Sequence, residues 1–335
     1  MTIPRKITVT VLAMPLLWCA ISAMEQHAAA QTAPATTRAA RGPRKEPYWT
    51  MQAAPPPAPK GISSGQAAVI GFVQGLTEYL PVSSTGHMIL VTHYMELDRT
   101  VGSQSLDAFE VVLHLGTILA VVGLYRRRVG RMCRGLAGRD RDGLRLVGLL
   151  VVAFLPAAIV GKLFQKQIEE HLFGPRPVIY ALAVGGVLMI VVERFFWRRR
   201  KGAATVTQVD KVLFGQAAVI GLAQCLAMWP GTSRSMITIL AGVLVGLDMV
   251  TAAEFSFLLA LPTLGAATLY SACTRWDGLL KSAGPDGLII GLVVSGVVAA
   301  LAVKGFVKWL TRHGLTPFGV YRILLAGAVY WYFFG

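Results

Sequence analysis

Hydrophobic residues come in long blocks along this chain. Runs of 17 or more mostly apolar residues recur, long enough to cross a ~30 Å hydrocarbon core as helices. Six such spans are expected, at about 107–125, 145–163, 178–197, 250–272, 286–304 and 317–334. One stretch breaks the pattern. Residues 74–87 read QGLTEYLPVSSTGH and lie between apolar runs, yet hold an amide, a carboxylate, several hydroxyls and a histidine. An ionised group at a helix centre in lipid costs ~2.5–3.5 kcal/mol or more. Pro81 and Gly86 interrupt any helix through the stretch, and broken backbone at that depth survives only where protein or a water-filled cavity surrounds it. The stretch is a candidate site on those grounds alone.

The pattern also repeats. Gly65–Gly71 (GQAAVIG) recurs identically as Gly215–Gly221, and segments 65–98 and 215–248 share 14 of 34 residues, including Gln74/Gln224, Ser83/Ser233 and Asp98/Asp248. Repeats with broken helices often have inverted topology and meet near the midplane. Three expected spans separate the copies, an odd number that turns one over relative to the other. Each copy must then enter and leave on its own side, as a re-entrant helical hairpin. The fold class is an all-α polytopic membrane protein, with about six spans and two such hairpins.

Composition agrees. Of 335 residues 54% are hydrophobic and 15% charged, against about 25% charged in soluble domains, and the mean hydropathy is +0.58. The formal charge of +15 does not form a nucleic-acid face. It is concentrated between apolar runs, as in Arg126–Arg128 and Arg198–Lys201, which is the signature of cytoplasmic loops. The four cysteines form no CxxC or metal spacing. At the N-terminus, Arg5 and Lys6 precede an apolar run from Ile7 to Ala23 and small residues at 28–30, so 1–30 reads as a signal peptide or an uncleaved anchor. Residues 31–60, rich in Ala and Pro, read as a disordered linker, and 61–335 as the membrane domain.

In the first hairpin Gln74 and Glu78 share a helix face at i, i+4. Pro81 ends that helix, Ser83, Ser84 and Thr85 form the turn, and Gly86–His87 opens the returning helix, whose free N–H groups favour an anion. Glutamate and histidine can move protons, and a hydroxyl can act as nucleophile. The second hairpin reads Trp229–Pro230–Gly231–Thr232–Ser233–Arg234–Ser235. Its arginine among small hydroxyl residues suits a phosphate. Glu78 stands opposite Met228, Ser84 opposite Arg234 and His87 opposite Ile237. Each copy thus lacks what the other has, and one composite site fits better than two equal ones. The plainer readings are helix caps for the hydroxyls, a structural hydrogen bond for Glu78 and a satisfied interior histidine for His87. Glu110 and His114, also i, i+4, read as a structural pair outside the site. Glu254 reads as satisfied by head groups, and Gly265–Ala267 as a close-packing patch.

QGLTEYLPVSSTGH paired with PGTSRS resembles the undecaprenyl-diphosphate phosphatases, the bacitracin-resistance family of bacterial inner membranes, over about 65–335. Gln74 stands where that family has glutamate or glutamine. The resemblance implies removal of the terminal phosphate of undecaprenyl diphosphate to recycle the lipid carrier of envelope polymers, with the site open to the periplasm. It implies Glu78, Ser84, His87 and Arg234 as principal residues and Gln74, Ser83, Thr85, Gly231, Thr232, Ser233 and Ser235 as supporting ones. A divalent cation, Mg2+ or Ca2+, would neutralise the diphosphate, with Glu78 as its one candidate ligand. A transporter of the lipid phosphate remains the alternative, because inverted repeats are also a transporter architecture. The oligomeric state stays open, a homodimer included.

Overall fold

The computed structural model describes residues 61–101, 103–172, 174–197, 206–274 and 283–334. The expected leader, the linker and the Arg198–Lys201 cluster lie outside them. Among the described residues the fold is all helical, with only two isolated bridges between extended residues.

The first hairpin is α1 (Ser64–Thr77) and α2 (Ser84–Tyr94). Ser63 starts α1 as a capping box, its backbone N–H donating to Gln66 Oε1 while its Oγ accepts from the Gln66 N–H. After the short α3 (Leu97–Thr100) come α4 (Ser103–Leu124), α5 (Arg126–Leu136), α6 (Arg141–Leu172) and α7 (Pro175–Val191), the last prolonged by a wider turn over Val192–Trp197. The second hairpin is α8 (Phe214–Gln224), a tighter turn at Cys225–Met228, and α9 (Arg234–Leu244). It is followed by α10 (Met249–Thr274), α11 (Pro285–Leu310) and α12 (Thr316–Phe334).

Five helical stretches, on α4, α6, α7, α10 and α11, are long and apolar enough to cross a membrane. The sixth expected span is α12, 19 residues long. It is less apolar because it carries Tyr321, Arg322, Tyr330, Trp331 and Tyr332. Large apolar side chains such as Leu222 (63% exposed) and Leu324 (67%) point outward, a surface suited to lipid rather than water. The arginine-rich segment after α4, read from sequence as a loop, is the helix α5 packed on α6. Arg131 ties it down through Asp140, Asp142 and Asp210. The Gly143 amide, together with Arg131 and Arg134, holds the Asp140 carboxyl below the usual carboxylate range.

The packing obeys the repeat. α1 lies on α11 of the second half, and its counterpart α8 lies on α6 of the first; α4 meets α10 and α7 meets α12. These pairs exchange when the two copies are exchanged, and α4, α6 and α7 are the three spans between the hairpins. Small residues allow the approach. A Cβ on Gly75 would sit 2.5 Å from the Ser295 carbonyl oxygen, and one on Gly221 would sit 2.5 Å from that of Ala153. In the expected close-packing patch Ala266 is buried, whereas a Cβ on Gly265 would meet open space. Gly75→Ala and Gly221→Ala are each expected to cost about 1–3 kcal/mol by overpacking. Gly65→Ala, with nothing within 4 Å of its Cβ, serves as the neutral control. Thermal unfolding in detergent checks this; equal melting temperatures for all three would remove the packing account.

Candidate active site

Each hairpin turns at a serine in an unusual backbone conformation. Ser83 has φ 73° and ψ 101°, and Ser233 has φ 73° and ψ 113°. Non-glycine residues seldom adopt positive φ, and such strain persists only where surrounding structure imposes it. Both serines then cap the returning helix: Ser83 Oγ accepts from the Gly86 N–H, and Ser233 Oγ from the Met236 N–H. The turn residues Pro81 and Gly231 are themselves buried. Gly231 needs to be glycine, for its φ is 91° and a Cβ would come 2.8 Å from the Val178 carbonyl oxygen.

Between the turns lies a cavity of about 160 Å³ lined by Glu78, Ser83, Ser84, Thr85, His114, Gly231, Ser233 and Arg234, with Ala227, Trp229, Pro230 and Leu264 as its apolar wall. Glu78 is its centre. Oε2 accepts from Gln74 Nε2 and from Ser84 Oγ, both at 3.0 Å, and Oε1 accepts from Arg234 Nη2 at 3.2 Å. One ion pair thus spans the two copies. Arg234 Nη1 donates to the Ser256 carbonyl, its guanidinium lies 5.7 Å from the Tyr79 ring centroid, and its Nε is buried with no protein acceptor. A fixed, incompletely satisfied guanidinium beside the open N-termini of α2 and α9 is an anion-binding arrangement.

The sequence-derived residues divide by position. Glu78, Ser83, Ser84, Thr85, Gly231, Ser233 and Arg234 line the cavity, and Gln74 stands behind it holding Glu78. Ser235 and Thr232 are buried outside the lining, and Ser235 Oγ donates to the Leu80 carbonyl, joining one turn to the other. His87 is also outside it. Its Nδ1 contacts the Ser83 carbonyl oxygen at 2.8 Å, its Nε2 lies 2.6 Å from the Tyr321 hydroxyl, and the two rings stack. His114 instead faces the cavity, with Nε2 3.8 Å from Glu78 Oε2. The i, i+4 spacing drew attention to it, but nothing in the sequence reported its distance from a hairpin 36 residues earlier.

Arg322 was missed altogether. It is fully buried and donates to four backbone carbonyls, those of Ala181 and Leu182 on α7, Pro81 in the first turn and Gly231 in the second. Gly185 on α7 leaves it room, because a Cβ there would collide with the guanidinium. The readable signal was the lone arginine in the last apolar span. Glu254, expected among head groups, is paired with Arg128 at 2.9 Å.

No cluster of three or more His, Cys, Asp or Glu side chains suited to a metal occurs among the described residues. Glu78 is the one carboxylate on the cavity, and both its oxygens already accept hydrogen bonds. That set is too small for a cage made by protein alone, though it leaves one hard oxygen donor beside an anion site.

Residues 67–328 match the family model described as "Bacitracin resistance protein BacA". The chain belongs to this family. Within it, the chain is 49% identical over 266 residues to the undecaprenyl-diphosphatase of Sorangium cellulosum, covering 79% of this chain and 85% of that one. It is 43% identical over 258 residues to undecaprenyl-diphosphatase 2 of Rhodospirillum rubrum (77% and 90%) and 40% identical over 272 to the undecaprenyl-diphosphatase of Geobacillus thermodenitrificans (80% and 97%). The BacA match begins after the N-terminal 60 residues and takes in both hairpins.

Two outcomes test this picture of the BacA core. Arg322→Leu is expected to leave carbonyls without donors, at about 1–3 kcal/mol each, and to lower the unfolding temperature far more than Arg322→Lys. Gln224, the repeat mate of Gln74, is buried with neither amide atom partnered among the described residues, since Met228 stands where Glu78 would be. Gln224→Leu is therefore expected to stabilise the protein by about 1–2 kcal/mol, read as a higher melting temperature. A lower one would place a hidden polar partner at that residue.

Proposed function

We propose that this chain hydrolyses undecaprenyl diphosphate to undecaprenyl phosphate and inorganic phosphate, with Glu78, Ser84 and Arg234 as the catalytic residues. The observation that carries the reading is the Glu78–Arg234 contact, which places a proton acceptor, a hydroxyl and a fixed guanidinium on one small polar cavity inside a membrane protein. The names of the relatives support the substrate.

Phosphoryl transfer depends mainly on positioning and charge stabilisation. The prenyl chain stays in the bilayer and the terminal phosphate enters between the turns. Arg234 and the N–H groups opening α2 and α9 bind its oxygens. Ser84 Oγ attacks phosphorus as its proton passes to Glu78 Oε2, 3.0 Å away; the bond to the bridging oxygen breaks and the lipid monophosphate leaves. The departing monophosphate carries off the proton held by Glu78. The freed Glu78 carboxylate then deprotonates the water that cleaves the phosphoserine, and that second proton passes to Ser84 Oγ as inorganic phosphate leaves. Direct attack by water activated at Glu78 is the competing order of events. Ser83, Thr85, Gly231 and Ser233 shape the lining, Gln74 orients Glu78, and Ser235 and Thr232 support the turns. His87, held by Tyr321, positions the start of α2.

A divalent cation fits this scheme as one that arrives with the diphosphate, because magnesium takes one or two carboxylates together with substrate phosphates. Glu78 is the side chain that would reach it, and the ion would supply charge neutralisation. The orientation expected from the arginine-rich segments puts the cavity mouth on the periplasmic side of the bacterial inner membrane.

The test is phosphate release by purified protein in detergent, with undecaprenyl diphosphate and Mg2+ or Ca2+. Arg234→Ala is expected to lower kcat about 10²–10³-fold, and Glu78→Gln by at least about 10²-fold. Ser84→Ala should abolish a trappable phosphoenzyme, and a fully active Ser84→Ala would leave water as the nucleophile. No release by folded wild-type protein would favour a transporter of the lipid phosphate instead.

A further inference from the structure

A second cavity, of about 450 Å³, opens where α4 passes into α5 and is bounded by α10 and α11. Its size falls within the ~300–1,000 Å³ of ligand pockets. Arg126, Arg127 and Arg128 line it from α5 and Lys304 from α11, against a single carboxylate, Glu254 of α10.

These cations differ from their neighbours. Arg131 and Arg134 are paired with aspartates, and Arg145 with the backbone carbonyl of Val212. Arg126, Arg127 and Lys304 have no ion-pair or hydrogen-bond partner among the described residues. Arg128 is half engaged: Nη2 donates to Glu254 Oε2 at 2.9 Å, while Nη1 is buried with no acceptor. An unpartnered buried guanidinium N–H is costly, and here it belongs to a residue on the wall of an open, strongly basic cavity. Glu254 holds Arg128 at the wall, and the cations left free for a ligand are Arg126, Arg127 and Lys304.

The cavity is separate from the catalytic one. Along α4, nine residues separate His114 from Gly123, about 14 Å at 1.5 Å per residue. The rings of Tyr79, Phe257 and Tyr125 stand between, with centroids 5.5 Å and 6.5 Å apart in succession. It lies at the ends of spanning helices, the level of lipid head groups, and Gly123 and Leu124 give it an apolar lip.

We propose that this cavity binds the phosphate head group of an anionic membrane lipid. Phosphate oxygens only accept hydrogen bonds, which suits a wall of donors, and basic pockets between spanning helices are recognised head-group sites. The apolar lip of Gly123 and Leu124 at the end of a spanning helix favours a lipid over free phosphate.

Full-length protein, delipidated in detergent, is titrated with phosphatidylglycerol, phosphatidylcholine or inorganic phosphate, with bound species counted by native mass spectrometry. Phosphatidylglycerol should be retained well above phosphatidylcholine and inorganic phosphate. Arg126→Gln with Lys304→Gln should weaken it about 25-fold, or about fivefold per charge, with the melting temperature unchanged. If that pair misfolds, Arg127→Gln, at an exposed side chain, carries the same comparison at about fivefold. Equal retention of both lipids, or no loss in the variants, would overturn the proposal. Inorganic phosphate binding as tightly as phosphatidylglycerol would assign the site to a soluble anion and overturn the lipid assignment.

Discussion

Backbone that stops inside a membrane has to find its hydrogen bonds within the protein, and Arg322 supplies them for both hairpins at once. Its guanidinium reaches Pro81 of one turn and Gly231 of the other while also holding α7. Water is absent from hydrocarbon, so an open turn would otherwise carry unsatisfied carbonyls costing about 1–3 kcal/mol each. A long, five-donor side chain from the last helix does what no local cap could. It explains how α12 belongs to the core despite being the least apolar of the expected spans, and why α7 carries glycine where the guanidinium passes.

With the turns fixed, the chemistry follows from a difference between the copies. The first supplies carboxylate and hydroxyl, the second supplies guanidinium, and they meet at 3.2 Å. A buried ion pair is weak evidence for stability. A guanidinium on the wall of a cavity lined by hydroxyls is better suited to an anion than to holding helices together. The second copy retains a trace of what it lacks in Gln224, an amide whose acceptor has become a methionine. The residues that differ between the hairpins therefore meet in one contact, and the part each plays rests on the proposed reaction.

Much of the frame was legible because membranes restrict the options. Long apolar blocks located the spans to within a few residues, except α6, which runs on to Leu172, and α11, which runs on to Leu310. The identical GQAAVIG segments disclosed the repeat, and polar residues at forbidden depth pointed to the candidate cavity. What escaped was everything set by long-range approach. Residue spacing carried no sign that His114 comes close to Glu78 while His87 turns to Tyr321, and Arg322 sits in a span that otherwise reads as ordinary lipid-facing helix. The Arg126–Arg128 cluster was legible as a topology signal, but its helical form required α6 as a packing surface.

Ser83 and Ser233 occupy the same improbable φ of 73° at equivalent places in two segments whose surrounding side chains have diverged. A shared distortion of this kind is simplest to obtain once and then copy. One hairpin with its helices, paired with an identical copy as a symmetrical homodimer, would carry two equal half-sites. Such a dimer cannot place a carboxylate on one face of its axis and an arginine on the other, since each substitution appears twice. Two copies in one chain carry no such restriction, so the centre of a repeated scaffold can be asymmetric.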